Sequence, residues 1–211
     1  DNQKDKRLRS SVMIEVDGLN IVIDTGPDFR QQMLRSKVQD IDAILFTHHH
    51  KDHVAGMDDI RAFNHKWNKD MQVYCTKLTA SALKMEFPYV FTKDSYPGIP
   101  KININLIENK EFEIRDTKIL PIKVKHYLMP VFGFRIKNLI YLTDVSEISE
   151  QEKEKMKGAD LIIIDALRKK PHISHFTLDQ ALALIEQLKP KRALMTHISH
   201  FMGLHDEINA E

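Results

Sequence analysis

The sequence predicts a mixed α/β fold, in which two stretches of strands, each interleaved with helices, form sheets with helices outside. Three observations carry this prediction. Short apolar runs of strand character recur along the whole chain, residues 177–188 show helical periodicity, and acid or imidazole side chains close strand after strand.

Taken in order, residues 11–16 and 19–23 read as a hairpin, because the Asp17-Gly18 between them favours a type I′ turn. Asp24-Thr25-Gly26-Pro27 is a turn signal, residues 29–38 have helical character, and 43–47 form a buried strand. A helix is expected over 54–65, beginning just after the histidine cluster described below, then a strand over 71–75 and a helix over 79–87. Residues 86–100, rich in proline and aromatics, read as a loop. In it Tyr89, Phe91 and Tyr96 either shape a substrate pocket or pack a core. From 102 to 142 the pattern is β, broken at Arg115-Asp116, Met129-Pro130 and Lys137-Asn138. Residues 148–157 read as a charged helix with a solvated face. Buried strands are expected over 161–165 and 192–196. The amphipathic helix between them carries Leu178, Ala181, Leu182, Leu184, Ile185 and Leu188 on one face, and a last helix starts near Leu204.

At 211 residues and 42% hydrophobic content the chain can bury one substantial core, as a single large domain or two fused halves. Its net charge of +1 supplies no general attraction for nucleic acid. A single cysteine, Cys75, cannot form an internal disulfide and fits a reducing compartment, so a cytoplasmic location is expected. The most apolar stretch, around 161–164, is far too short to span a bilayer, and no membrane partner is expected. The charged start of the chain carries no signal-peptide pattern.

The densest chemistry lies at His48-His49-His50-Lys51-Asp52-His53, where His48, His50, Asp52 and His53 spell H-x-H-x-D-H directly after a buried strand. Imidazole and carboxylate together suit Zn²⁺, Mn²⁺ or Fe²⁺. So short a stretch does not close four ligands on one tetrahedron, so the set divides, His48 and His50 toward one ion, Asp52 and His53 toward another. Further ligand-type residues close other strands: Asp24, His126, Asp144, Asp165 and His197. His49 and His65 read as structural and surface residues.

This ordered set resembles the metallo-β-lactamase superfamily from about residue 11 to residue 205, through Ile23-Asp24-Thr25-Gly26, the 48–53 hexapeptide, His126, Leu142-Thr143-Asp144 and Met195-Thr196-His197. The resemblance implies a four-layer αββα sandwich. It also implies a single metallo-hydrolase domain over residues 1–211, lacking the extreme N- and C-terminal segments. It further implies two divalent ions, Zn or Mn first and Fe or Ni next. His48, His50 and His126 would hold one ion, Asp52, His53 and His197 the other; Asp144 would bridge them and Asp24 orient the ligands. Such a pair can activate a shared water near neutral pH, with Asp52 positioned to orient it or take its proton.

Cys75 lies in no ligand motif, which argues against β-lactams. His175-Phe176-Thr177 resembles the His-x-Thr motif of the phosphodiesterase branch, where the histidine protonates a leaving alkoxide or holds the phosphate; the competing reading is that Ser174 or Thr177 merely caps a helix. Within that branch the chain is most similar to phosphoribosyl cyclic-phosphate phosphodiesterase-like proteins. Their N-terminal Gly-Thr-rich strand and cysteine cluster are not among these residues, either because the fragment begins after them or because this relative lacks them, and no insert like the long basic arm of tRNA 3′-processing endonucleases is seen. The expected activity is hydrolysis of a small or cyclic phosphodiester, with Arg168, beside Lys169 and Lys170, as a phosphate contact; RNA is the less favoured substrate. The alternatives are ester, lactone or thioester hydrolysis on the same site, tRNA 3′-end cleavage, or a binding protein without catalysis. Relatives of this kind are commonly dimers, so a homodimer is expected.

Overall fold

The computed structural model describes residues 2–92 and 98–210; Tyr96 lies outside them. The chain forms two compact units, Arg9–Glu108 with Ile114–Thr117, and Asp1–Leu8 with Asn109–Glu113 and Lys118–Glu211.

The first unit carries a five-stranded sheet, in which β1 (Val12–Val16), β2 (Leu19–Ile23), β3 (Ala43–Leu45), β4 (Met71–Cys75) and β5 (Ile102–Leu106) lie in that spatial order. The β1–β2 pair is antiparallel and joined as expected: Asp17 and Gly18 both have positive φ, the condition for a type I′ turn. The remaining pairs are parallel and therefore need crossovers, supplied by α1 (Phe29–Arg35), α2 (Lys51–Val54), α3 (Arg61–Trp67) and α4 (Lys77–Glu86). Phe29 and Met33 of α1, Phe63 of α3 and Leu83 of α4 pack on Val22, Ile44 and Val73 of the sheet. Each such fully buried side chain contributes roughly 1.5–3 kcal/mol.

The continuous helix expected over 54–65 is instead α2, a 3₁₀ turn at Met57–Ile60, and α3. Moreover α2 starts at Lys51, so Asp52 and His53 sit on the helix and not before it. The break has a local cause. The Gly56 N–H donates to the Thr25 carbonyl and the Thr25 N–H to the His53 carbonyl, zipping the end of α2 to the turn after β2. A Cβ on Gly56 would lie 2.2 Å from the Gly26 oxygen, and one on Gly26 2.3 Å from the Asp52 oxygen.

The second unit carries a six-stranded sheet in the order β11-β10-β9-β8-β7-β6, from β6 (Phe112–Ile114), β7 (Thr117–His126), β8 (Met129–Ile136), β9 (Leu139–Leu142), β10 (Leu161–Asp165) and β11 (Arg192–Thr196). The turn expected at Met129-Pro130 falls at Tyr127-Leu128, and Pro130 sits inside β8 opposite Lys125. The ladder tolerates it there. Lys125 directs its N–H to Glu147 and its carbonyl to the Ser146 N–H, so nothing is asked of a donor at 130.

The helices of this unit are α5 (Glu150–Glu154), α6 (Leu178–Leu188) and α7 (His205–Ala210). Ala181 and Leu184 of α6 join Ile140, Leu142, Ile162 and Ile164 in the core. Helix α5 departs from the fully solvated expectation: Glu152 is buried and bonded to Asn109, Lys155 and the Lys123 N–H. No helix of the described residues is long and apolar enough to cross a membrane.

Candidate metal centre

The two units each present a cluster at the carboxyl ends of their strands. In the first, His48 follows β3, His50 is the residue before α2, and Asp52 and His53 occupy its first turn. The rings of His48 and His50 are 4.6 Å apart, those of His48 and His53 4.2 Å. Asp24, fully buried beyond the end of β2, organises them. It accepts hydrogen bonds from the Thr47 N–H at 2.9 Å, the Thr47 hydroxyl at 2.8 Å and His53 Nδ1 at 2.7 Å. Because the Thr47 proton goes to Asp24, the same oxygen accepts from His48 Nδ1 at 2.9 Å. One carboxylate thus fixes two tautomers and leaves Nε2 of both His48 and His53 with a lone pair of the kind that can ligate a cation. Burial pushes the Asp24 carboxyl above its ordinary range, against the pull of His53 and the Thr47 donors. Asp52 is partly exposed, its Oδ2 lying 3.7 Å from His53 Nε2 and 3.8 Å from Arg9.

In the second unit, Asp144 stands just beyond β9, His197 just beyond β11, and His126 ends β7. The two carboxylate oxygens of Asp144 face different histidines: Oδ1 is 3.7 Å from Nε2 of both His126 and His175, and Oδ2 is 3.5 Å from Nε2 of His197. These separations exceed a hydrogen bond and lie near the ~3.4 Å between two ligands on one tetrahedral ion with bonds of about 2.1 Å. His126 gives Nδ1–H to the Ser174 carbonyl at 2.8 Å, and His175 gives its own to Asp165 at 3.2 Å, so here too Nε2 points inward as acceptor. By its donor set the centre fits a divalent cation.

His175 lies within the histidine cluster, and the cap of the alternative reading exists beside it. Thr177 and Gln180 form a capping box at the start of α6, while His175 stacks on His197 at 4.9 Å and sits 4.7 Å from His126. Burial pushes its imidazole down to about 3; Asp144 opposes this, and His197, His126 and His172 add to it. Asp165, legible in the sequence as a strand-closing acid, anchors both His175 and the Val145 N–H. Thr47 and Ser174 gave no signal, since nothing marks a hydroxyl or a carbonyl as the partner of a distant imidazole. Arg168 directs its guanidinium to the carbonyls of Lys170 and Pro171, at 3.1 and 2.7 Å, and so shapes its own turn. His65 is exposed, and the His49 ring lies 5.7 Å from His50.

Comparison with known proteins bears on the fold and the family. The chain is similar to a structure described as a new diphosphatase from the PhnP family, at 36% identity and a TM-score of 0.89, over 96% of this chain and 78% of that one. It matches an octanoyltransferase of Porphyromonas gingivalis at 36% identity over 210 residues, 98% of this chain but only 42% of that protein. The chain thus spans less than half the length of that relative. Short-form human tRNase Z shares the fold, at a TM-score of 0.70 and 21% identity over 90% of this chain and 86% of that one. The beta-lactamase superfamily domain matches residues 19–198. The chain therefore belongs to the metallo-β-lactamase superfamily.

Proposed function

We propose that this protein hydrolyses a small or cyclic phosphodiester on a centre of two divalent ions, Zn²⁺ or Mn²⁺. His48, His50 and His126 would hold one ion, Asp52, His53 and His197 the other, with Asp144 shared. The observation that carries the reading is Asp144, whose two oxygens address separate histidines as a bridging carboxylate must. Bound there, the ions would supply an activated water and neutralise phosphoryl charge. The residues do the rest. Asp52, the partly exposed carboxylate of its cluster, takes up or orients the proton of the attacking water. His175 enters neutral, held through Nδ1 by Asp165, and its Nε2 gains a proton as the anionic substrate raises its basicity. It then passes that proton to the leaving alkoxide. Arg168 is the candidate contact for a substrate phosphate beyond the scissile one. The likeness to a PhnP-family diphosphatase supports the phosphate class.

Turnover of bis(p-nitrophenyl) phosphate tests this: it should vanish with a chelator and return with Mn²⁺ or Zn²⁺. Asp52→Ala should lose roughly 10²-fold or more in kcat, the scale of general-base contributions. Unchanged turnover in that variant rejects the assignment.

A second reading, hydrolysis of a carboxyl ester or thioester, is favoured by the octanoyltransferase relative, although more than half of that protein's length lies outside the match. Comparing His175→Ala on a cyclic phosphodiester, which expels an alkoxide, and on p-nitrophenyl octanoate separates the two. A poor alkoxide leaving group depends on the acid, whereas an acyl substrate is far less sensitive.

A further inference from the structure

The turn after β10 and the 3₁₀ turn after β11 form a cleft of about 480 Å³ lined by Arg168, Lys169, Lys170 and Phe201. Arg168 braces its own turn, and Lys169 and Lys170 line the same cleft beside an apolar ring. Phe201 is 67% exposed, whereas Met202 beside it is buried in the core. The ring is not a loose surface group, because its backbone is clamped. Arg7 reaches across the turn to the carbonyls of Ser199 and Gly203, at 3.2 and 2.8 Å, and Ser199 Oγ accepts the Phe201 N–H. The opposite wall is equally fixed by the Arg168 bonds to Lys170 and Pro171.

The cleft adjoins the histidine cluster of the same unit. Ser199 donates from both N–H and hydroxyl to the Leu167 carbonyl, and the Leu167 N–H donates to Phe176, next to His175. His172 lies 5.1 Å from His175; burial and then the Arg168 charge hold its imidazole below the usual range, so the guanidinium is within electrostatic reach of that ring. A rigid, exposed aromatic flanked by cations takes a planar ring by stacking and a phosphate by charge.

We propose that this cleft is a substrate subsite for a nucleotide group, the base stacking on Phe201 and an additional phosphate meeting Lys169 and Lys170. The assignment rests on the phosphodiesterase reading above and narrows it to diesters whose non-leaving group is a nucleoside carrying a second phosphate.

Three substrates with one leaving group test it: thymidine 3′-phosphate 5′-(p-nitrophenyl phosphate), thymidine 5′-(p-nitrophenyl phosphate), and ethyl p-nitrophenyl phosphate. Phe201→Ala should raise KM about tenfold for both thymidine compounds, and Phe201→Trp should restore it. Lys169→Ala with Lys170→Ala should raise KM only for the compound with the 3′-phosphate. The ethyl ester should keep its kcat/KM within about twofold in every variant. Equal effects on all three compounds, or none, overturn the subsite. Calorimetric titration of thymidine 3′,5′-bisphosphate onto the chelator-treated full chain separates the two readings. Binding that depends on Phe201 and the lysines, in a protein that hydrolyses none of the three with any metal, upholds the subsite and rejects the catalytic reading. Hydrolysis with nucleotide binding indifferent to those residues does the reverse.

Discussion

At positions 24, 144 and 197 the backbone enters the left-handed region, with φ of 63°, 57° and 52°. Non-glycine residues seldom go there, aspartate and histidine more readily than others, at a cost of order 1–3 kcal/mol each. Asp24 and His197 directly follow the last residue of a strand and Asp144 lies two beyond one, where the sharp turn stops the side chain from continuing the pleat and sends it toward its cluster. The candidacy of these positions was legible from residue type at a strand end. The tautomer relay through Thr47 was not, because it depends on the three-dimensional meeting of Asp24 with residues more than twenty positions away. Replacing Asp24 with Ala should weaken metal binding roughly 10–100-fold, the usual effect of losing a group that orients ligands. Competition with a fluorescent zinc chelator measures this directly. Circular dichroism at the same temperature should show a folded chain, and unchanged metal affinity would remove Asp24 from the centre.

Elements with strong local signals came out where periodicity and turn chemistry placed them: the Asp17-Gly18 hairpin, β4, β10, β11 and α6 with its Thr177 cap. The errors arose where tertiary contacts overrode the local pattern. Residues 54–65 look like one helix, but the Gly26–Gly56 contact bends the chain there, and α2 takes Asp52 and His53 with it. Gly26→Ala would set its Cβ against the Asp52 carbonyl, so a loss of about 1–3 kcal/mol is expected, together with weaker metal binding, as α2 is pushed away. Urea midpoints and the chelator competition should move together. Helix α5 is the second case. Burial alone would raise the Glu152 carboxyl, but Lys155, Asn109 and the Lys123 N–H outweigh it and hold it below its ordinary value of 4.5. Its contribution is therefore full above the unfolded value and is lost as pH falls through the lower folded one. Glu152→Gln should cost about 1–3 kcal/mol at pH 7, and wild type and variant should converge as pH falls through the lowered folded value. A gap that persists once the carboxyl is protonated would show that charge is not what Glu152 supplies.

For the whole molecule, composition spoke to a sizeable core but not to its division into two compact units, because hydrophobic content is blind to which contacts close. Both spectroscopic and chemical probes happen to fall in the same unit: Trp67 ends α3, and Cys75, the only cysteine, ends β4. Cys75 is fully buried among Val73, Ala80 and Leu83, and burial pushes its thiol up to about 12, with Lys84 pulling weakly the other way. Only the thiolate reacts, so in the folded unit both access and ionisation block modification. At pH 8 a disulfide reagent should leave Cys75 untouched for as long as the unit stays closed, and then label it at a rate set by opening. In rising urea, the onset of labelling should coincide with the change in Trp67 emission if residues 9–108 open as one cooperative body. Labelling that precedes the Trp67 transition would show instead that the β4–β5 edge frays while α3 stays packed, and that the unit is not two-state.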